Sequence, residues 1–341
     1  MAVTSASARA RVCIAVAFAL NGSFALAAGA ATFTLGEPTG VATVPHVPAS
    51  VPRDYVVTPN GYFHPSCVHR IEAGETQHAD GSVIGADGSV RRVASCAYPH
   101  YAPNGARLAR DEIPSPNATA RAPQLINGWV AYASYVLPRE NAAVYISADM
   151  SVPDAPTVHS GQVVYFFPGL EDIENVQTIV QPVLGWNAFN DNDWTIASWN
   201  CCMNGEVWHS PAVAVDAGTT LEGRVSGSSC TANVCDDWSI LTRDPVNDRD
   251  TTLDTSGYGQ AFDWVFGAVL EAYGISQCGE LPVTATEEFS RIAVHALRPP
   301  TSGGIAQRQA WDPTIVASSP NCAYSVTPHP APDSPQITIS Y

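Results

Sequence analysis

Val144-Tyr145-Ile146-Ser147-Ala148-Asp149-Met150-Ser151-Val152 is a strand-like run that stops at Pro153. Similar runs recur at short spacing on both sides of it. They are Trp129–Leu137, Gln162–Phe167, Thr178–Trp186, Trp194–Trp199, Ala212–Val215, Thr219–Val225, Trp238–Thr242, Phe262–Tyr273, Phe289–His295, Ile315–Ala317 and Gln336–Tyr341. Gly, Pro, Asn and Asp punctuate them, and no amphipathic helix with caps stands between them. That spacing predicts an all-β sandwich or barrel. The run Phe262–Tyr273 fits either a strand or a helix, because a short apolar run suits both.

The chain has 341 residues, 45% of them hydrophobic, enough for one large domain and an additional segment. Its formal net charge is −16, and all 16 basic residues are Arg. An acidic excess argues against nucleic acid, which is held by a basic face that releases counterions. It argues equally against an anionic membrane surface. No apolar run reaches the roughly 20 residues of a membrane-spanning helix.

The N-terminus resembles an address rather than a structure. Arg9 and Arg11 precede the apolar run Val12 to Leu20, and Ala25-Leu26-Ala27 offers a small-x-small cleavage site. Residues 1–27 are therefore expected to be a secretory signal, and the protein to be secreted with no membrane association once the signal is removed. Eight cysteines follow: Cys67, Cys96, Cys201, Cys202, Cys230, Cys235, Cys278 and Cys322. An even count behind a signal predicts disulfides. The expected pairs are Cys67–Cys96, Cys278–Cys322, and one or both of Cys201/Cys202 with Cys230/Cys235. Asn117-Ala118-Thr119 is a glycosylation sequon.

Charge divides the rest in two. Residues 28–125 hold eight acids, seven Arg and five His, whereas residues 126–341 hold 24 acids, seven Arg and four His. The first segment becomes cationic in mild acid while the second stays anionic until its carboxylates titrate. Residues 28–125 begin with a Pro-rich stretch, Val44 to Pro52. They then repeat the unit Asp-Gly-Ser-Val at Asp80 and Asp87, which predicts a small hairpin. Ala106 to Arg121 is the expected linker or processing region.

Several motifs are absent: Gly-x-Ser-x-Gly, His-Glu-x-x-His, the P-loop and Gly-x-Gly-x-x-Gly. His209-Ser210 lacks the further partner of a serine-hydrolase triad. His64, Cys67 and His69 have loose metal-ligand spacing, but Cys67 is expected in a disulfide. Asp248, Asp250 and Asp254 lack the Gly and terminal Glu of a calcium loop. No metal site and no cofactor are expected.

Three blocks resemble one family, the eqolisins or glutamic peptidases. The run Val144–Pro153 is similar to their opening strand. Gly169-Leu170-Glu171 followed by Thr178-Ile179-Val180-Gln181 is similar to their Gly-Ile-Asp run ending in Ala-Ile-Leu-Gln. Ala268-Val269-Leu270-Glu271-Ala272, Leu281-Pro282 and Phe289–Val294 resemble their Trp-Ile-Val-Glu block and the strand after it. The order of blocks is kept across residues 126–341. The resemblance implies a two-sheet antiparallel concanavalin A-like jelly-roll sandwich over 126–341. It further implies a catalytic pair, Gln181 and Glu271, with Trp194, Trp199 and Glu171 contacting a polypeptide substrate. Residues 28–125 resemble the family's pro-segment in placement and charge, and would then bind the sandwich as an inhibitory pro-segment or accessory module. A monomer is expected. Pro182 after Gln181, Gly267 and Ala268 depart from the family pattern, as does Thr195-Ile196-Ala197-Ser198-Trp199, which lacks the family's Glu.

The chemistry of the pair is self-consistent. A Glu carboxylate can take a proton from water and pass it to the leaving amine. A Gln amide can donate to the tetrahedral oxyanion, a contribution of about 3–4 kcal/mol to the barrier. Period-2 alternation puts Glu271 on one face with Val269 and Tyr273, and Gln181 with Ile179 and Val183. The rival readings are a lectin-like or surface sandwich that has lost peptidase activity and binds sugar on Trp186, Trp194, Trp199 and Trp208, and a glycosidase pairing Glu271 with Glu171 or Glu206.

Overall fold

The computed structural model describes residues 41–109, 126–297, 310–329 and 335–341. The signal, the sequon at Asn117 and most of the expected linker lie outside these residues. Residues 38–341 form one compact unit. The N-terminal strands are β1 (Val56–Thr58), β2 (Gly61–Phe63), β3 (Val68–Arg70), β4 (Thr76–His78), β5 (Ser82–Ile84), β6 (Val90–Arg92), β7 (His100–Tyr101) and β8 (Arg107–Leu108). Next come β9 (Ile126–Val136), β10 (Ala143–Ser151), β11 (Val163–Asp172), β12 (Asn175–Trp186), β13 (Trp194–Cys201), β14 (Val207–His209) and β15 (Val213–Ala214). The chain closes with β16 (Thr220–Thr231), β17 (Val234–Asp244), β18 (Arg249–Ser256), β19 (Trp264–Ile275), β20 (Thr286–Ala296), β21 (Asp312–Ile315), β22 (Ser325–His329) and β23 (Gln336–Ser340).

These strands build an all-β, two-sheet sandwich, as the sequence predicts. One large sheet runs β21-β9-β19-β11-β12-β13-β14-β3, with β15 beside β13; the other runs β22-β23-β20-β10-β16-β17-β18-β4-β5-β6. Phe166, Leu184 and Leu270 of the first sheet pack against Met150, Phe289 and Ile337 of the second. Each such large side chain contributes about 2–3 kcal/mol on burial. Both faces of β19 are covered: Ala268, Leu270 and Ala272 enter the core between the sheets, and Phe266, Val269 and Tyr273 the cluster under the four-stranded sheet. That explains why Phe262–Tyr273 shows no alternation yet is a strand: a doubly buried strand is apolar on both faces.

The N-terminal residues join this frame in three ways. β3 pairs in parallel with β14, and β4 pairs in parallel with β18, so the segment extends both large sheets. Ile71 and Val83 enter the core between the sheets. The four-stranded sheet β1-β2-β7-β8 supplies Val57, Tyr62, Phe63 and Tyr101 to a cluster on the outer face of β11, β12, β13 and β19. The Asp-Gly-Ser-Val repeat forms the turns of the β4-β5-β6 meander. In each turn the Asp side chain accepts from the Ser amide at 2.9 Å, and Gly81 and Gly88 have φ of 78° and 79°.

The disulfides are Cys67–Cys96, Cys201–Cys202, Cys230–Cys235 and Cys278–Cys322. The first and last match expectation. A cross-link between Cys201/Cys202 and Cys230/Cys235 is corrected: Cys230 faces Cys235 across β16 and β17, whereas Cys201 ends β13 in the other sheet.

A proline removes a ladder N–H, so Pro182 after Gln181 points to an edge, a bulge or a changed strand. It lies instead inside β12, between β11 and β13. The pairing of β11 with β12 passes from Phe166↔Leu184 to Leu170↔Val180 at constant offset. That offset sets Pro182 opposite Pro168, so the two missing N–H groups fall at the same place along the strands. On its other side β11 carries a bulge between Phe167 and Gly169. This irregular patch borders Gln181, and bulges of this kind re-aim side chains.

Candidate active site under the N-terminal hairpin

Glu271 and Gln181 share the outer face of the first sheet. Glu271 lies on β19 with Val269 and Tyr273, opposite Tyr165 of β11 and Trp129 of β9. Gln181 lies on β12 with Ile179 and Val183, opposite Trp199 of β13. The β1-β2 hairpin and its neighbours bury this face, and both side chains are fully buried.

Glu271 is anchored by one oxygen. Its Oε1 accepts from the Tyr273 hydroxyl at 2.5 Å and from the Asn60 backbone N–H at 2.9 Å. Oε2 is buried without a hydrogen-bond partner. Burial pushes the carboxyl up to about 8, against the lowering effect of those two donors. Under the hairpin the buried carboxyl therefore favours its neutral form.

Gln181 has no hydrogen-bond partner at either carboxamide atom. A buried polar group left unpaired costs about 1–3 kcal/mol, and the carboxamides of Asn200 and Gln260 are buried unpaired in the same way. A carboxamide with free donors can meet an oxyanion. Beside it the offset of β11 and β12 places Gly169, where an added Cβ would lie 3.6 Å from the Cβ of Gln181. The same Cβ would lie 3.3 Å from the Val180 carbonyl oxygen and 3.4 Å from Ile179 Cδ1, so the close approach of β12 favours glycine here.

The register does not bring Gln181 and Glu271 into contact. They are two strands apart, and Gly169 and Tyr165, their positions on β11, are four residues apart, roughly 13 Å along the strand. Glu171 lies beyond Gly169 on the same face and is nearly fully buried. Its carboxyl is raised by burial, then by Asp172, then by Glu271. Glu171 thus feels the charge of Glu271 across an interval that contains the row of Gln181.

Trp199 shares this face, packing 4.9 Å from His209 and 5.5 Å from Phe189. Trp194 does not: it belongs to the core between the sheets, 5.4 Å from Trp186. Five positions separate Trp194 from Trp199, an odd number, so the period of two puts them on opposite faces. Trp208 lies in a third cluster, so the four Trp form no common platform. Glu206 accepts from the Cys96 amide at 2.7 Å and is not paired with Glu271. The Ser210 hydroxyl accepts from the Ser198 amide at 2.8 Å, and burial pushes His209 down to about 4. Cys67 is bonded to Cys96, so it cannot ligate a metal with His64 and His69.

The residues that sequence reasoning missed are Asn60, Tyr165 and Trp129. Trp129 donates Nε1–H to Asn60 Oδ1 at 3.0 Å, and Tyr165 donates its hydroxyl to the Val57 carbonyl at 3.3 Å. Their partners lie in distant strands, so no local pattern marks them.

No family model matches the sequence, and no curated protein matches it. Among solved structures the chain is similar to scytalido-glutamic peptidase bound to a peptide-based transition-state analogue. Identity is 11%, coverage is 62% of this chain and 98% of that one, and the TM-score is 0.42. It is also similar to SCP-B, described as a member of the eqolisin family of peptidases, in complex with the tripeptide Ala-Ile-His. There identity is 12%, coverage is again 62% and 98%, and the TM-score is 0.41.

Proposed function

We propose that this protein is a secreted endopeptidase working in acid, with Glu271 as general acid/base and Gln181 as oxyanion donor. The observation that carries the reading is the pairing, on one buried face, of a carboxamide with no partner and a carboxyl with one free oxygen. The sequence resemblance to the glutamic peptidases in three ordered blocks supports the same two residues.

In the proposed reaction, substrate lies along the face between the rows of Gln181 and Glu271. Once the hairpin has left and water reaches the face, Glu271 releases its proton to solvent, and its Oε2 then takes a proton from water as the oxygen attacks the peptide carbonyl. The Gln181 Nε2–H donates to the resulting oxyanion. Glu271 then gives its proton to the leaving nitrogen. Glu171 and Trp199 contact the substrate chain.

Residues 28–125 act in this reading as an inhibitory cover, since Asn60 occupies Glu271 and the hairpin buries the face. Secretion fits the four disulfides.

The test is hydrolysis of denatured casein between pH 2 and 7 by the full chain, with Glu271→Gln and Gln181→Ala alongside. Acid cleavage lost in both folded variants upholds the reading. Cleavage that survives in either folded variant sinks it, as does a wild type that stays inert at every pH after cleavage within the expected processing region Ala106–Arg121.

A further inference from the structure

We infer that Tyr273 is a positioning residue for Glu271, its hydroxyl fixing Oε1 so that Oε2 is the oxygen that exchanges protons with water and substrate. The inference rests on the reading of Glu271 as the general acid/base.

Three tyrosines surround the carboxyl, and their hydroxyls go to different places. Tyr62 donates to Asn127 Oδ1 at 3.1 Å, Tyr165 to the Val57 carbonyl, and Tyr273 to Glu271 Oε1 at 2.5 Å. The second donor to Oε1, the Asn60 amide, belongs to the hairpin that must move before a substrate can reach the face. Tyr273 is on the strand of Glu271 itself, two residues along, and stays when the hairpin leaves.

Its ring is held on both sides. Tyr62 meets it edge-on at 5.4 Å and Tyr165 edge-on at 6.3 Å, with interplanar angles of 80°. Tyr273 is fully buried, and burial together with Glu271 raises its own hydroxyl well above the ordinary tyrosine value. The phenol therefore remains a donor wherever the protein is folded. Donation to a carboxylate favours the ionised form and opposes burial. With Oε1 held, rotation of the carboxyl is restricted, and the unpartnered Oε2 has a defined direction. The groups that face Glu271 are Tyr62, Tyr165, Asn60, Trp129 and, at longer range, Glu171. None of them is cationic, so the Tyr273 hydroxyl is the lasting source of carboxylate stabilisation.

The experiment compares the full-length wild type with Tyr273→Phe and Tyr165→Phe. The Glu271 carboxyl is followed by carbon NMR of Glu-labelled protein, with Glu271→Gln identifying the signal. In Tyr273→Phe the proton affinity of Glu271 should rise about tenfold. Tyr165→Phe should leave it within about twofold of the wild type, because its hydroxyl serves the hairpin. On casein, Tyr273→Phe should lower kcat about tenfold or more with KM little changed, and move the acid limb of the pH profile upward. An unchanged Glu271 titration in Tyr273→Phe overturns the inference, as does an equal change in Tyr165→Phe. Failure of the peptidase reading is distinguishable, because it appears as an inactive wild type whose Glu271 signal still responds to Tyr273→Phe.

Discussion

The backbone amide of Asn60 donates to Glu271 Oε1 over 2.9 Å, although 211 positions separate the two residues. This contact sits at the tip of a two-strand hairpin whose turn is Pro59-Asn60, with Asn60 at φ 80° and Gly61, the first residue of β2, at φ 129°. Both values lie in the left-handed region, which Asn tolerates and Gly adopts freely. Trp129 closes the arrangement by donating to the Asn60 side chain. A turn residue, a carboxyl and an indole from three parts of the chain thus form one seal.

Gly61→Ala should break that seal. A Cβ at position 61 would run into the Tyr101 carbonyl oxygen, part of the backbone of a neighbouring strand. Neither the turn nor β7 can yield without losing hairpin pairing. Residues 56–63 should exchange their amide hydrogens at least about tenfold faster than in the wild type, while residues 264–275 stay protected. Under the proposed function the same variant should cleave casein faster. Equal protection of residues 56–63 would show that the turn accommodates a side chain and does not govern access.

Acid should act on the two parts of the molecule in opposite directions. His69 packs on Trp208 at 4.5 Å with a buried, unpartnered Nε2, and His100 stacks on Phe63 at 4.9 Å with an unpartnered Nδ1. Burial pushes each down to about 4, and Arg91 adds to the effect at His69. A histidine held below its unfolded value stabilises the fold above about pH 6.5 and loses that contribution as pH falls towards 4. Glu271 and Glu287 are raised by burial to about 8. Their contribution is complete below about pH 4.5 and is lost as pH rises towards 8. Amide exchange at pH 4 and pH 7, corrected for intrinsic rates, should therefore show β2 and β7 losing protection in acid relative to β19. Uniform protection across both parts at pH 4 would mean that the buried imidazoles do not control docking.

Much of this was legible in the residues themselves. The Asp-Gly-Ser-Val repeat names two turns because Asp accepts locally and Gly takes positive φ, and both turns form. Alternation placed Glu271 with Tyr273 and Gln181 with Val183, and the same parity separates Trp194 from Trp199. What could not be read was pairing over long range. β3 joins β14 and β4 joins β18 through parallel ladders between segments far apart in sequence, and a parallel partner leaves no local mark. Pro182 looked incompatible with an interior strand until the register set Pro168 opposite it. The partners of Cys201 and Cys202 leave no mark in the sequence for the same reason, since proximity of Cys230 to Cys235 follows from a hairpin register and not from spacing.

Arg139 should prove a support for the turn that carries Glu171. Its guanidinium meets Asp172 through two hydrogen bonds, at 2.6 and 3.1 Å, and Asp263 at 3.1 Å. Asp263 is buried and uses its other oxygen to accept from the Ile173 amide at 3.0 Å. Arg139→Met leaves that carboxylate without a cation. Because the guanidinium is about one-third exposed, the loss should be moderate, about 2 kcal/mol in urea unfolding. The amides of Ile173 and Glu174 should lose protection first. A stability change below about 0.5 kcal/mol would mean that Asp263 is satisfied without the arginine.

Gln181→Met offers the sharpest separation of structure from function. The wild-type carboxamide is fully buried with neither atom bonded, in a setting built from Ile179, Val183 and Trp199. Methionine has a similar volume and no group that needs a partner, so it relieves the desolvation of the amide. If Gln181 is kept for chemistry, the variant should be more stable by about 1 kcal/mol or more in urea and inactive on casein, because residues held at a cost to the fold are those that function requires. A variant that is destabilised by more than about 1 kcal/mol would show that the amide is bonded in solution, through water or through the cover. In that case the unpaired carboxamide would no longer support an oxyanion role, and the catalytic assignment would have to rest on Glu271 with Glu171, the two raised carboxyls on the same face.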